Sequence, residues 1–381
     1  MKLLIFLSSM VSIYYFFFAE VTNDGKLKVF PINFDKLIGT VLSIFLIILM
    51  TINRTGYDAI SFIRFFNFVK IKHVNLWDYT YELLTKLINI TISYFPNLNY
   101  FEFHALILTI TGILFVYPFL KINAKSYSAV LSLYILSGTF AYDGMQFKNF
   151  IAVTLLLIAL TVLFLYNRVG IILFYLLILL SIRFHFSFAV YLLLPLVKIK
   201  NIKNKSNQFA VFGIFSYLIM FVIGPIVRSK LLLVLSTLPF MSKLAVYANQ
   251  NNGLRSIIPV IIYILILITI SYFHKNSEKF STQSKILLDV TYHIWSYLGL
   301  VLPFLIFANA PYRMLRNMFI LVFVSFVNGI LELPRTSVKR MYGIGLVLTV
   351  ALIIFCYPIL IKQAIDVYQP IVENPVFFWQ D

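Results

Sequence analysis

Four short clusters carry the side chains able to do chemistry in this sequence, and each stands beside a long apolar run. Arg54-Thr-Gly-Tyr57-Asp58 sets a cation and a carboxylate around a glycine turn, suited to orienting sugar hydroxyls or a phosphate. With nothing bound, the same two charges make an exposed ion pair of small worth. Tyr81-Glu82 opens an amphipathic stretch, a place where the helix macrodipole alone favours a carboxylate. Tyr142-Asp143-Gly144 reads as a turn, and Gln146, Lys148 and Asn149 then fall in the first turn of the apolar helix that follows. A lysine there is a conflict, because the N-terminal end of a helix is already positive. A docked anion such as a diphosphate resolves it. Arg183-Phe-His185-Phe-Ser187 brings a guanidinium, an imidazole and a hydroxyl within five positions at a tight turn between two short apolar runs. On the same side, Arg313 and Arg316 share one helical face after Pro311, and guanidinium groups bind phosphate oxygens in pairs.

Other chemistries lack their residues. The single cysteine, Cys356, lies in the last apolar run, so no intrachain disulfide forms. The five histidines (His73, His104, His185, His274, His293) show no paired ligand spacing and no HExxH, so no metal site and no cofactor are expected.

The elements that must position these clusters follow from composition. Of 381 residues, 61% are hydrophobic and only 12% charged, about half the charge of an ordinary soluble domain. That excludes a soluble enzyme, a disordered chain and a fibre, and leaves an all-α, polytopic integral membrane protein. A helix crossing the hydrocarbon core needs roughly 20 apolar residues, fewer where a neighbour covers it. On that template about twelve spans are expected, near 3–19, 37–52, 103–120, 127–141, 147–166, 170–183, 186–198, 208–225, 255–273, 286–308, 317–331 and 342–361. The first is read as an uncleaved anchor. The chain forms one membrane domain, 1–381, without soluble linkers.

The net charge of +17 would recommend nucleic acid in a soluble protein. Here the basic residues are scattered between apolar runs, with no aromatic-interleaved basic stripe, so no nucleic-acid partner is expected. They hold loops on the cytoplasmic side and contact anionic head groups of the membrane lipids. The loop of Lys198, Lys200, Lys203 and Lys205 fixes the direction. Segments 53–102, 142–148, 183–186, 226–254 and 309–316 then face outward. Within 53–102, Leu76–Phe95 repeats its apolar residues every three to four positions and is expected to lie on the outer interface; 226–254 is read similarly. The outer face thus gathers Arg54, Lys148, Arg183, Arg313 and Arg316 with Asp58, Glu82, Asp143 and His185. Cations on the side that the positive-inside rule disfavours are what a lipid-diphosphate site requires.

These pieces resemble the EpsG/Wzy family of bacterial polysaccharide polymerases. Arg54-Thr-Gly-Tyr-Asp58 is similar to the family's Arg…Gly-x-Asp element, and Tyr81-Glu82-Leu-Leu-x-Lys-Leu-Ile88 to its Glu-led amphipathic segment. Gln146-Phe-Lys148-Asn149-Phe-Ile-Ala152 resembles its Ile-Arg-Gln-x-Leu-Ala span opening, with lysine where arginine is usual. Phe184-His185-Phe-Ser187-Phe-Ala189 resembles the Phe-His-x-Ser-Ala turn, and Tyr312-Arg313 with Arg316 the C-terminal arginine element. The resemblance implies a GT-C-like, metal-independent glycosyltransferase in the bacterial inner membrane, with its active face periplasmic. Donor and acceptor would both be oligosaccharide repeat units on undecaprenyl diphosphate. A chain-length regulator and a repeat-unit flippase would be its partners. Arg54, Lys148, Arg183, Arg313 and Arg316 would hold the departing diphosphate. His185 would be the general base, with Asp58, Glu82 or Asp143 as alternatives. The rival readings are a lipid-linked oligosaccharide flippase, which predicts helix breaks near mid-span, and an O-antigen ligase.

Overall fold

The structure, a computed structural model, describes residues 34–51, 57–72, 82–165, 168–198, 203–237, 253–307, 310–334 and 337–360. Every regular element among them is helical. Among the described residues, six helices are long and apolar enough to cross a membrane, seven if one sharply bent pair counts as a span. Four shorter apolar helices accompany them. This is a multi-pass membrane protein. The first expected span, 3–19, lies outside the described residues.

Contacts divide the chain into two units. One is built on residues up to Leu192, with Pro334–Val338 and the stretch from Ile354; the other on Leu193–Leu333 and Lys339–Ile353.

The first unit opens with α1 (Phe34–Thr51), α2 (Tyr57–Lys72) and α3 (Glu82–Tyr94). α2 was not expected: its aromatic residues are interrupted by Arg64, Asn67, Lys70 and Lys72, which leaves neither a span nor a clear apolar stripe. α3 is the amphipathic element, burying Leu84, Ile88 and Ile92 while Lys86 and Ile90 are exposed. A capping box of Asn99 and Glu102 starts α4 (Tyr100–Thr111). α4 runs through a π-turn into α5 (Tyr117–Asn123). α6 (Tyr127–Leu136) begins where the Asp35 carboxylate accepts bonds from the Ser126 and Ser128 hydroxyls, at 2.7 and 2.6 Å. The same carboxylate takes the backbone N–H groups of Tyr127 and Ser128 at 3.1 and 3.2 Å, donors that a helix start leaves without internal partners.

Beyond α6 the expected boundaries shift. The turn expected at Tyr142-Asp143-Gly144 is helical, because Gly138, at φ 67°, has already turned the chain. α7 (Thr139–Met145) therefore carries Asp143 and Gly144, and meets α8 (Phe147–Leu165) at a bend of 114°. α9 (Arg168–Phe184) follows, and then a 3-10 helix, Phe186–Lys198, in place of the α-helical span expected there.

The second unit starts with α10 (Ser206–Thr237), one helix of 32 residues. It runs on through 226–237, which the sequence placed in an outer segment; 238–252 lie outside the described residues. A Cβ on Gly213 would stand 2.1 Å from the Gly299 carbonyl oxygen, so two backbones touch there. α11 (Ile257–Lys275) and α12 (Thr282–Leu298) are pinned by the Trp295 indole, which donates to the Tyr263 carbonyl at 3.0 Å and stacks on its ring. At one end of this pair Asp289 receives Lys203 and both His274 and His293, the imidazoles at 3.3 and 3.1 Å. A short 3-10 stretch, Gly299–Ile306, leads to α13 (Ala310–Arg316) and α14 (Phe319–Glu332). The run Pro311–Glu332 is 89% buried, too enclosed to face lipid, and forms the core of its unit. α15 (Val338–Leu360) closes the described chain.

Candidate active site

The bend between α7 and α8 is held by polar contacts on both sides. A Cβ on Gly144 would sit 2.8 Å from the Met50 carbonyl oxygen, so α7 passes α1 backbone against backbone. The Tyr134 phenol donates to the Asp143 carboxylate. His104 Nε2 lies 2.9 Å from the Gly144 carbonyl oxygen. A carbonyl only accepts, so that nitrogen carries the proton. Past the bend, Lys148 is 7% exposed and Asn149 1%. The Lys148 ammonium is 5.9 Å from the centre of the Phe62 ring, and Phe62 meets Phe147 edge-on at 4.8 Å. The cation stands buried in the first turn of α8, at the positive end of that helix, with the Phe62 ring among its neighbours.

The second feature is the turn after α9. Arg183 pairs with Glu82 at the start of α3, and Lys86 reaches the same carboxylate at 2.7 Å. The Lys86 hydrogen bond, with the Arg183 charge beside it, holds the Glu82 carboxyl below the usual glutamate range. A carboxylate shared by two cations is a poor proton acceptor. His185 Nδ1 is 2.7 Å from the Ser187 hydroxyl, and the Ser187 backbone N–H points to it from 3.4 Å. Since a backbone N–H only donates, the Nδ1 lone pair faces Ser187 and the neutral ring carries its proton on Nε2.

In the second unit, Arg313 and Arg316 occupy the last turn of α13, as the three-residue spacing implied. Arg316 is 4% exposed and Asn317, directly after it, 2%. Asp58 falls in the first turn of α2, and Arg54 lies outside the described residues. The structure thus joins Glu82 to Arg183 and sets Asp143 and Lys148 on the two arms of one bend. Among the described residues, no three His, Cys, Asp or Glu side chains are grouped to hold a metal ion.

The chain matches the EpsG family over residues 36–372, most of its length. It belongs to the EpsG family. Membership supports, at the level of the family, an O-antigen or exopolysaccharide polymerase function, an enzymatic role, and substrates of the polysaccharide repeat-unit class. Neither a curated protein nor a solved structure matches the chain. In this EpsG-family protein the sequence reading passed over His104 and Tyr134, which hold α7 in place. One signal was available: His104 is an ionisable residue one turn beyond Tyr100 inside an apolar run, a position that costs several kcal/mol without a partner.

Proposed function

We propose that this protein joins oligosaccharide repeat units carried on undecaprenyl diphosphate, working at the periplasmic face of the bacterial inner membrane. The donor's anomeric C–O bond breaks and the diphosphate lipid leaves. The acceptor's terminal hydroxyl forms the new bond and gives up its proton. The observation that carries this reading is the buried Lys148 at the opening of α8, together with family membership. A cation fixed in a low-dielectric pocket stabilises charge that develops on a leaving diphosphate without having to reorganise.

Arg54, Lys148, Arg183, Arg313 and Arg316 are our candidates for contacts to diphosphate oxygens. His185 is the preferred proton acceptor. Because its lone pair faces Ser187, the acceptor's proton would reach it through that hydroxyl or after Ser187 turns aside. Asp58 and Asp143 are the alternatives, and Glu82 is the weakest, being held by two cations. Counting the bent pair, the four shorter apolar helices and 3–19 as spans brings the total to about twelve. We place them in a single GT-C-like membrane domain, with a repeat-unit flippase and a chain-length regulator as partners.

Deleting the gene and resolving surface polysaccharide on a gel tests this reading. A polymerase leaves single-repeat product and abolishes the ladder. Loss of every surface-exposed repeat would instead indicate the flippase, whose expected mid-span break has a counterpart in the 114° bend, or a ligase.

A further inference from the structure

His104 has no part in the reaction proposed above, and its hydrogen bond lies at the bend. It is 3% exposed, its ring lies parallel to Tyr100 at 5.7 Å and edge-on to Phe147 at 5.5 Å, and its Nε2–H meets the Gly144 carbonyl. Each contact touches a different part of the same construction. Gly144 belongs to the last turn of α7, whose carbonyls lack partners within the helix. Phe147 is the first residue of α8 and the immediate neighbour of Lys148. Phe147 is also boxed by Phe62 at 4.8 Å and Phe103 at 6.3 Å, and Phe62 carries the Lys148 ammonium over its face. One imidazole therefore ties off the end of the helix before the bend and packs against the first residue after it.

We propose that His104 is a positioning residue for the anion site: it sets the angle of the bend, and through Phe147 and Phe62 it sets where the Lys148 ammonium stands. The role rests on the reading of Lys148 as a diphosphate contact. His104 does not touch the lipid and transfers no proton; its Nε2–H is committed to Gly144. A helical bend whose carbonyl loses its buried donor relaxes toward another partner, and α8 turns with it. An aliphatic side chain of similar bulk preserves the packing but not this bond, whereas glutamine offers an amide N–H at comparable reach.

The test uses the full-length protein purified in detergent, with undecaprenyl diphosphate as the probe, and follows binding and thermal melting together. His104→Leu is expected to weaken binding about tenfold, the equivalent of one unsatisfied buried carbonyl. His104→Gln should restore affinity to within about threefold of the unaltered protein. Lys148→Met separates the two ideas. If it binds the probe as the unaltered protein does, the diphosphate reading fails and the positioning role goes with it. If Lys148→Met loses binding while His104→Leu keeps it, only the positioning role fails. A His104→Leu defect that glutamine does not rescue, and that tracks a matching drop in melting temperature, also overturns it and leaves a packing residue.

Discussion

Each unit contains a seven-residue helix that stops, and a long apolar helix that resumes after it with a buried cation and an asparagine at the join. In the first unit these are α7, α8 and Lys148-Asn149; in the second, α13, α14 and Arg316-Asn317. The similarity stops at the electrostatics. Arg316 ends the helix before the join, where carbonyls point outward and a cation is favoured. Lys148 begins the helix after the join, where N–H groups point outward and a cation is opposed. The joins also differ in shape: the first bends by 114°, while the second runs within one apolar stretch, Pro311–Glu332. Burial of a charge alone does not identify a functional group. Arg316 stands at a helix end that favours a cation, and Lys148 at a helix end that opposes one.

The largest effect should come from Lys148→Met, which is expected to cut polymerisation in reconstituted membranes on the order of a hundredfold. Its melting temperature should hold or rise, because a charge opposed by its helix has been removed. A fall of several degrees would show that Lys148 is structural and would dissolve the contrast. Arg316→Met should show the mixed pattern, with about tenfold lower polymerisation together with a lower melting temperature, since it removes a cation that its helix favours. If Arg316→Met loses activity with unchanged melting, the two joins are equivalent after all. Gly144→Ala tests the shape of the first join. The added methyl meets the Met50 backbone at 2.8 Å, and overpacking of this kind costs about 1–3 kcal/mol, read as reduced thermal stability with reduced activity. Glu82 gives the smallest effect. Its pKa is lowered in the folded protein, so its pairing with Lys86 and Arg183 is in force above the ordinary glutamate value and is lost as the pH falls through the lowered one. Protection of the α3 amides, taken relative to the intrinsic exchange rate at each pH, should fall on acidification over that window, and Glu82→Gln should abolish that change.

Much of this was legible before the structure. The apolar runs give the spans because a bilayer imposes a length, and α3 is visible because a half-buried helix repeats every three to four residues. The lysine conflict at 148 was visible because helix polarity follows from chain direction alone. What escaped depends on contacts between distant segments. Nothing local marks Gly144 as a point of contact with Met50, so glycine there read as a turn, while the turn itself belonged to Gly138. The pairing of Glu82 with Arg183 spans a hundred residues of sequence and appears only when α3 is laid beside the end of α9. His104 looked like one more isolated histidine, because its partner is a backbone carbonyl and carbonyls leave no trace in a residue's identity. The 3-10 form of Phe186–Lys198 was hidden for a related reason, since its residues are apolar enough for either kind of helix.

That last element changes the arithmetic of reach. At about 2.0 Å per residue, its thirteen residues extend roughly 26 Å, against about 20 Å for an α-helix of equal length. A stretch that looked nearly two turns too short for the roughly 30 Å hydrocarbon layer thus comes within a few ångströms of its thickness by being drawn thinner, like a wire. Ser187 sits at the start of that wire, so how tightly a strand of leucines, phenylalanines and one proline is wound fixes how far the His185 turn stands from its other end.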